Sequence, residues 1–142
     1  MKPFDIPRRL FDEIIAQAEV ESPHECCGLI GGQGERACSR YPLRNQAPNP
    51  EREYFAAPED LFSALRRMRV EGEQLRAIYH SHPCGPAYPS ETDLACAFYP
   101  QVAYLIVALK PRSEMRAFRL LEGAATEIEL RLIPHENQRR EV

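Results

Sequence analysis

The spacing of apolar residues along the chain changes several times, and each change predicts a different element. Apolar residues three and four apart predict a helix over 7–21, with Leu10 and Ile14 facing the core. A second helix is predicted over 58–71, with a proline in its first turn and a glycine directly after it. A short third helix is predicted over 90–98.

Shorter apolar runs predict strands. The run 26–32 is typical of a buried strand entering a glycine-rich turn, and 36–43 is expected to be its hairpin partner. A strand over 75–79 would carry His80 at its end. The run 102–108 is apolar throughout, which is typical of a central strand. Three further strands are predicted at 53–55, 115–121 and 126–132.

Helices alternate with strands in the first half of the chain, and strands dominate the second half. This order predicts an α/β fold in which one mixed β-sheet packs against helices. A chain of 142 residues suits a single domain, which we place at 1–134. The remaining polar residues, from His135 to Val142, are expected to form a frayed C-terminal tail.

Composition excludes several classes of protein. A formal net charge of −3 argues against a general nucleic-acid binder. The chain has no apolar run long enough to cross a bilayer, and its N-terminus lacks the apolar core of a signal peptide. Five cysteines, an odd number without a secretory segment, predict reduced thiols and a cytoplasmic location.

Two histidines, His80 and His82, follow the predicted strand 75–79 with one residue between them. Side chains two apart on an extended chain point to the same face, so both imidazoles would aim at one point. Zinc accepts imidazole nitrogen and carboxylate oxygen, and a catalytic zinc site keeps a fourth position open. Asp93 is the natural third ligand, because Ser90 is expected to cap a helix whose first turn contains it.

Seven residues separate His82 from Ser90, and two separate Ser90 from Asp93. This full pattern resembles the JAMM motif, also called MPN+, of the Mov34/MPN/PAD-1 metalloprotease family. Upstream, the run 25–31 (ECCGLIG) is similar to the family's glutamate-bearing early strand. The resemblance extends to about Leu132 and is to the compact, stand-alone bacterial type. It implies an MPN/JAB fold with a curved sheet and a cytidine-deaminase-like architecture.

The same resemblance implies a role for each matched residue. His80, His82 and Asp93 would bind one Zn²⁺ ion, with a water molecule as the fourth ligand. Glu25 would be the general base, and Ser90 would donate a hydrogen bond to the oxyanion. That second role of Ser90 is expected to compete with its helix cap for one hydroxyl group.

The implied activity is that of a zinc peptidase or isopeptidase, hydrolysing the amide bond after the C-terminal Gly-Gly tail of a ubiquitin-like protein. In small bacterial members the partner is expected to be a sulfur carrier. Two alternatives stay open: a non-catalytic MPN scaffold that binds a partner, and a zinc hydrolase of a small-molecule amide. Activity lost in Glu25→Gln with zinc retained would separate the enzyme from the scaffold.

Other chemical signals are weaker. The run starting at His24 opens like a HExxH zinc motif but lacks its second histidine. Cys26 and Cys27 could serve a cysteine protease, but we expect them to be buried, small apolar residues of a strand. Cys84, two residues beyond His82, could reach the open metal position or be oxidised, which would make the enzyme sensitive to redox conditions.

Overall fold

The computed structural model describes residues 2–134, which form eight strands and three helices. In chain order these are β1 (Phe4–Pro7), α1 (Arg8–Glu21), β2 (Cys27–Gln33), β3 (Arg36–Leu43), α2 (Pro58–Glu71), β4 (Gln74–His82), α3 (Glu91–Ala95), β5 (Ala103–Ala108), β6 (Glu114–Leu121), β7 (Ala124–Ile128) and β8 (Leu130–Ile133). The predicted tail, 135–142, lies outside the described residues.

Six strands form one mixed sheet in the order β3-β2-β4-β5-β6-β7. Only β4 and β5 run parallel among neighbouring strands of this sheet in the described chain; the other pairs are antiparallel. Every residue of β5 is buried, because the strand lies between β4 and β6 and both of its faces are covered. The predicted mixed α/β fold and the central position of 102–108 are therefore confirmed.

The sheet separates two apolar clusters. Residues of α1 and β1, with alternate residues of β4 and β5 such as Tyr79 and Leu105, build the cluster on one face. The opposite face packs residues of α2, such as Met68, against Ile78 and Ile106, with Leu94 of α3 at its margin. Because side chains alternate along a strand, His80 and His82 share this second face with Ile78.

Several predicted boundaries need correction. The stretch 126–132 is not one strand: β7 ends at Ile128, and the chain then leaves the large sheet so that β8 pairs in parallel with β1. This pairing explains why β1 was missed, since four residues at the start of the chain gain their partner only near Leu130. The first helix accordingly begins at Arg8, after Pro7 has ended β1.

Two more predictions were too long. The third helix ends at Ala95 rather than Phe98, because none of its residues is buried and packing does not extend it. The stretch 53–55 is not a strand. The backbone N–H of Phe55 donates a hydrogen bond to the side-chain Oδ1 of Asn45 at 3.0 Å, so it is not available to a neighbouring strand. An isolated β-bridge between Asn45 and Ala56 is formed instead.

Among residues 2–134, no helix is both long and apolar enough to cross a bilayer.

Candidate functional site

The end of β4 places two imidazoles on one face of the sheet. His80 and His82 are both almost fully buried, and the distance between their Nε2 atoms is 3.2 Å. Both rings therefore present the same nitrogen to one small volume, as the HxH spacing predicted.

Helix α3 brings the carboxylate to that volume through its own N-cap. The Ser90 hydroxyl accepts a hydrogen bond from the Asp93 backbone N–H at 3.0 Å, and Asp93 Oδ2 accepts one from the Ser90 backbone N–H at 2.9 Å. The same Oδ2 atom lies 3.1 Å from His80 Nε2 and 3.0 Å from His82 Nε2. The capping box thus fixes the position at which the carboxylate meets the two rings.

These three atoms form a nearly equilateral triangle, and its size can be compared with what a metal requires. A tetrahedral zinc site with bonds of about 2.0–2.1 Å spaces its ligand atoms about 3.3 Å apart. The observed spacings of 3.0–3.2 Å are within about 0.3 Å of this value. Two imidazole nitrogens and one carboxylate oxygen at this spacing fit a metal ion bound by three protein ligands.

A second carboxylate, that of Glu25, is buried beside the histidines in the segment just before β2. One oxygen of Glu25 and one ring nitrogen from each of His80 and His82 all lie within 4.8 Å of one another. Glu25 Oε1 has no hydrogen-bond partner among residues 2–134. Asp93 Oδ2 is within hydrogen-bond distance of both rings, whereas Glu25 Oε1 has no such partner among residues 2–134, so the geometry favours Asp93 as the ligand.

Burial and neighbouring charges give the two carboxylates opposite protonation behaviour. Loss of solvent, opposed by the charge of His82 and reinforced by that of Asp93, raises the pKa of Glu25 from 4.5 to about 8. Burial acts on Asp93 in the same direction, but its bonds to His80 and His82 outweigh it and depress the pKa of Asp93 far below its ordinary value. Asp93 is therefore anionic at neutral pH, whereas Glu25 can hold or release a proton.

The pKa values of the two imidazoles are also shifted in opposite directions. Burial lowers the pKa of His80 despite its bond to Asp93. Burial also opposes the charged form of His82, but its bonds to Asp93 and to the Pro86 carbonyl prevail, and the pKa of His82 is raised. His82 Nδ1 lies 2.8 Å from the Pro86 carbonyl oxygen, so Nδ1 carries a proton and Nε2 is left free to bind a metal in the neutral ring.

One residue that the sequence did not single out organises this side of the site. The Asn45 amide donates hydrogen bonds to the carbonyl oxygens of Glu25 and Glu53, both at 3.0 Å. Its Oδ1 accepts bonds from the backbone N–H groups of Ala47 and Phe55. Asn45 therefore joins the loop after β3 to the backbone of Glu25. Nothing in the sequence marks this asparagine apart from its place in a loop.

Tyr54 also lies in this loop and was not predicted as a site residue. Its ring stacks on that of His80, with centroids 4.6 Å apart and planes at 28°. Tyr54 also lines an apolar groove of about 390 Å³ bordered by Leu61, Leu65 and Tyr104. Tyr54 is a single aromatic residue in a loop, and no sequence motif links it to the histidines.

A cleft of about 550 Å³ opens on the other side of the site. Glu25, His82, Ser90 and Cys84 are among the residues that line it. The thiol of Cys84 is exposed, and Lys110 Nζ lies 4.0 Å from its sulfur atom. The cleft gives a ligand access to the candidate base and to the exposed Ser90 hydroxyl.

The structure changes the interpretation of Ser90. In the cap, its hydroxyl oxygen accepts the bond from the Asp93 N–H. A hydroxyl has one donor and two acceptor sites, so this bond leaves its proton free to donate. The two expected roles of Ser90 are therefore compatible, because the cap uses an acceptor site and the oxyanion would use the donor.

Ser81 and the two adjacent cysteines of the site region, Cys26 and Cys27, behave as structural residues. Ser81 points away from the histidines, and its hydroxyl accepts the Cys26 N–H at 2.8 Å. Cys26 and Cys27 are buried, and burial raises the pKa of each thiol to about 12. A thiolate is the nucleophile in a cysteine protease, so neither residue suits that chemistry at neutral pH.

Comparison with known proteins connects this geometry to a family. Residues 7–121 match the family described as prokaryotic homologs of the JAB domain. The chain belongs to the prokaryotic JAB-domain family. The match spans α1, the glutamate before β2, the histidines of β4 and the aspartate of α3.

Two curated proteins match most of the chain. One, from Thermus thermophilus, is named "Probable TtuB-protein conjugate cleaving protease" and is 42% identical over 119 residues, covering 83% of this chain and 76% of its own length. Another, from Mycobacterium tuberculosis, is named "CysO-cysteine peptidase" and is 33% identical over 122 residues, covering 83% of both chains.

Solved structures agree on the fold. A protein from Desulfitobacterium hafniense, known from a solution structure, aligns with a TM-score of 0.82 at 30% identity over 94% of each chain. A JAB1/MPN domain protein from Archaeoglobus fulgidus aligns with a TM-score of 0.60 at 20% identity, over 92% of this chain and 99% of that one. At 20% identity the second likeness supports the JAB/MPN fold alone.

Proposed function

We propose that this JAB-domain protein is a zinc-dependent peptidase that hydrolyses the amide bond after the C-terminal Gly-Gly tail of a ubiquitin-like sulfur-carrier protein. The observation that carries the proposal is the triangle of His80 Nε2, His82 Nε2 and Asp93 Oδ2, with the carboxylate of Glu25 beside it. The relatives named as a TtuB-protein conjugate cleaving protease and a CysO-cysteine peptidase support the substrate class.

In this proposal His80, His82 and Asp93 hold one Zn²⁺ ion, and a water molecule completes its coordination. When bound, the ion supplies Lewis acidity and lowers the pKa of a coordinated water to about 7. The spacing of the three donor atoms supports this ligand set, and Asp93 would bring the negative charge that partly neutralises the ion.

Glu25 is the general base. Its burial gives it a pKa of about 8, close to the pH at which it would work, so it can accept a proton from the attacking water and pass it to the leaving amine. Ser90 donates its free hydroxyl proton to the oxygen of the scissile carbonyl as negative charge develops there. Both residues line the cleft that the substrate would enter.

The substrate's shape follows from the enclosure of the site. His80 and His82 are buried, and an extended Gly-Gly tail has no side chains that would obstruct its approach to them through the cleft. Extended peptides commonly bind by adding to a sheet edge as a strand. The five cysteines, all described as free thiols, support a reducing compartment, and we place the protein in the cytoplasm.

The first experiment is metal content by elemental mass spectrometry on the wild type and on Asp93→Ala. About one zinc per chain is expected in the wild type, and the variant should lose it because one of three protein ligands is gone. A wild-type protein that stays empty in excess zinc would refute the metal site, and the scaffold alternative would then lead.

The second experiment separates the three candidate activities. A carrier fused through its Gly-Gly tail to a short extension is compared with a small peptide carrying the same scissile bond. We expect the fusion to be cleaved by the wild type and not by Glu25→Gln, with zinc retained in both. Glu51→Gln is the matched control, since it removes an exposed carboxylate from the same cleft. Equal cleavage of fusion and peptide would favour a small-molecule hydrolase instead.

A further inference from the structure

The two histidine rings of the site are held by different means. His82 has the support that metal-binding histidines usually have, a second ring nitrogen bonded to a carbonyl, here that of Pro86. His80 lacks it: its Nδ1 is buried and has no hydrogen-bond partner among residues 2–134. Its Nε2 contacts Asp93 and His82, but rotation about the bond between Cβ and the ring is only weakly restrained in histidine, so a contact on the ring face would add the support that Nδ1 does not have.

The group that contacts the His80 ring face is Tyr54. The two rings are stacked with their centroids 4.6 Å apart and their planes inclined by 28°. Turning the His80 ring about its χ2 angle would drive its edge into the tyrosine. The stack therefore holds the plane of the ring, and within that plane the contact of Nε2 with Asp93 Oδ2 at 3.1 Å selects the direction of the ring.

Tyr54 is itself held firmly enough to act as a support. The residues on either side of it are bound to Asn45: the Glu53 carbonyl accepts from the amide and the Phe55 N–H donates to it, both at 3.0 Å. The same asparagine bonds the Glu25 carbonyl at 3.0 Å. The loop thus positions the tyrosine and the backbone of the candidate base from one anchor.

We propose that Tyr54 is a positioning residue for the metal centre, and that its ring takes the place of the hydrogen bond that His80 lacks. The inference rests on the proposed metal site and adds a determinant of metal affinity to it. The proposed role belongs to the aromatic face of Tyr54, which stacks on His80, and not to its hydroxyl group.

The test compares Tyr54→Phe and Tyr54→Leu with a matched control, Tyr104→Leu. Tyr104 is a buried tyrosine of the same face of the sheet and the same groove, and its hydroxyl bonds the Tyr99 N–H rather than the site. The zinc dissociation constant is measured by competition with a chromogenic chelator. The absorption bands of the Co²⁺-loaded proteins report the ligand geometry, and thermal melting reports folding.

We expect Tyr54→Leu to weaken zinc binding by about 10- to 100-fold, the usual effect of losing a group that orients a metal ligand, and to change the Co²⁺ spectrum. Tyr54→Phe keeps the stack and should bind zinc as the wild type does. Tyr104→Leu should lower the melting temperature to a similar extent without changing zinc affinity. If Tyr54→Leu does not fold, Tyr54→Met, with a flexible chain of similar length, takes its place.

Three results would overturn the proposal. Zinc affinity and spectrum unchanged in Tyr54→Leu would show that the stack does not orient His80. An equal loss in Tyr104→Leu would reduce the effect to general destabilisation. A loss in Tyr54→Phe as large as in Tyr54→Leu would assign the role to the hydroxyl. A wild type that binds no zinc would instead defeat the proposed function itself, which separates the two failures.

Discussion

The burial of Glu25 predicts that the candidate base destabilises the metal-free fold as pH rises. Its pKa is about 8 in the folded protein and 4.5 as its ordinary value, so the unfolded chain loses this proton first. The stability that the protonated Glu25 carboxyl group contributes is fully present below about pH 4.5, and it is lost as pH rises through about 8. Glu25→Gln, which keeps the shape but cannot ionise, should escape this loss.

The magnitude follows from the two pKa values. Integrating the linkage relation from pH 5 to pH 9 gives about 4 kcal/mol, at 1.36 kcal/mol per pKa unit. The carboxylate faces an open cleft, and water there screens part of its charge. The difference in free energy of unfolding between Glu25→Gln and the wild type is therefore expected to be about 2 to 4 kcal/mol larger at pH 9 than at pH 5, in favour of the variant.

The assay is urea unfolding of both proteins at pH 5, 7 and 9, with a chelator present so that both are metal-free. Other titrating groups are common to the two proteins and largely cancel in the difference. Glu51→Gln controls for the loss of one negative charge from the cleft. A difference between Glu25→Gln and wild type that stays flat from pH 5 to pH 9 would refute the reasoning.

Three further outcomes are expected. Asn45→Ala should lower the free energy of unfolding by about 2–4 kcal/mol in urea melts, because it leaves the Glu25 carbonyl and other buried loop groups unpaired; a loss below about 0.5 kcal/mol would contradict this. Gly32→Ala would place a Cβ 1.8 Å from the Arg36 carbonyl oxygen, so it should lose at least about 2 kcal/mol by the same assay, and neutral behaviour would disprove the contact. Cys84→Ala should abolish inhibition by peroxide with zinc content unchanged; unaltered peroxide sensitivity would exclude this thiol.

The site was predictable where the signal lay in neighbouring residues of the chain. The HxH spacing fixes the relation of His80 to His82 on a strand, and Ser-x-x-Asp fixes that of Ser90 to Asp93 at a helix start. Both pairs occur in the structure with the local geometry expected of them. What the local pattern could not give was the 3.0–3.1 Å contact between the pairs, which supports the ligand assignment drawn from the family resemblance.

The supports of the site were not predictable, because they depend on contacts across the fold. Asn45 acts through backbone groups that its loop brings together, and any short polar residue there would have looked the same in the sequence. Tyr54 acts through a ring contact with a residue 26 positions further along. The expected conflict at Ser90 came from counting hydroxyl groups rather than their donor and acceptor sites.

The strands at the two ends of the described chain were not predicted correctly, because their pairing also depends on contacts between distant parts of the chain. A four-residue stretch at Phe4 is too short to be recognised as a strand without its partner, and that partner begins at Leu130. The apolar pattern around Thr126 also contains no sign that the chain changes sheets after Ile128. Interior elements were predicted better, since their apolar periods extend over a longer stretch.

The pairing of β1 with β8 has a consequence for the protein as it leaves the ribosome. Phe4 and Ile6 belong to the cluster that covers one face of the sheet, yet the strand that holds them in place is translated last among the described elements. At about 5–20 residues per second, synthesis of the intervening chain takes several seconds or more. Throughout that interval an apolar N-terminal segment lacks its final partner, so the nascent chain is expected to be most prone to chaperone capture and to aggregation just before β8 emerges.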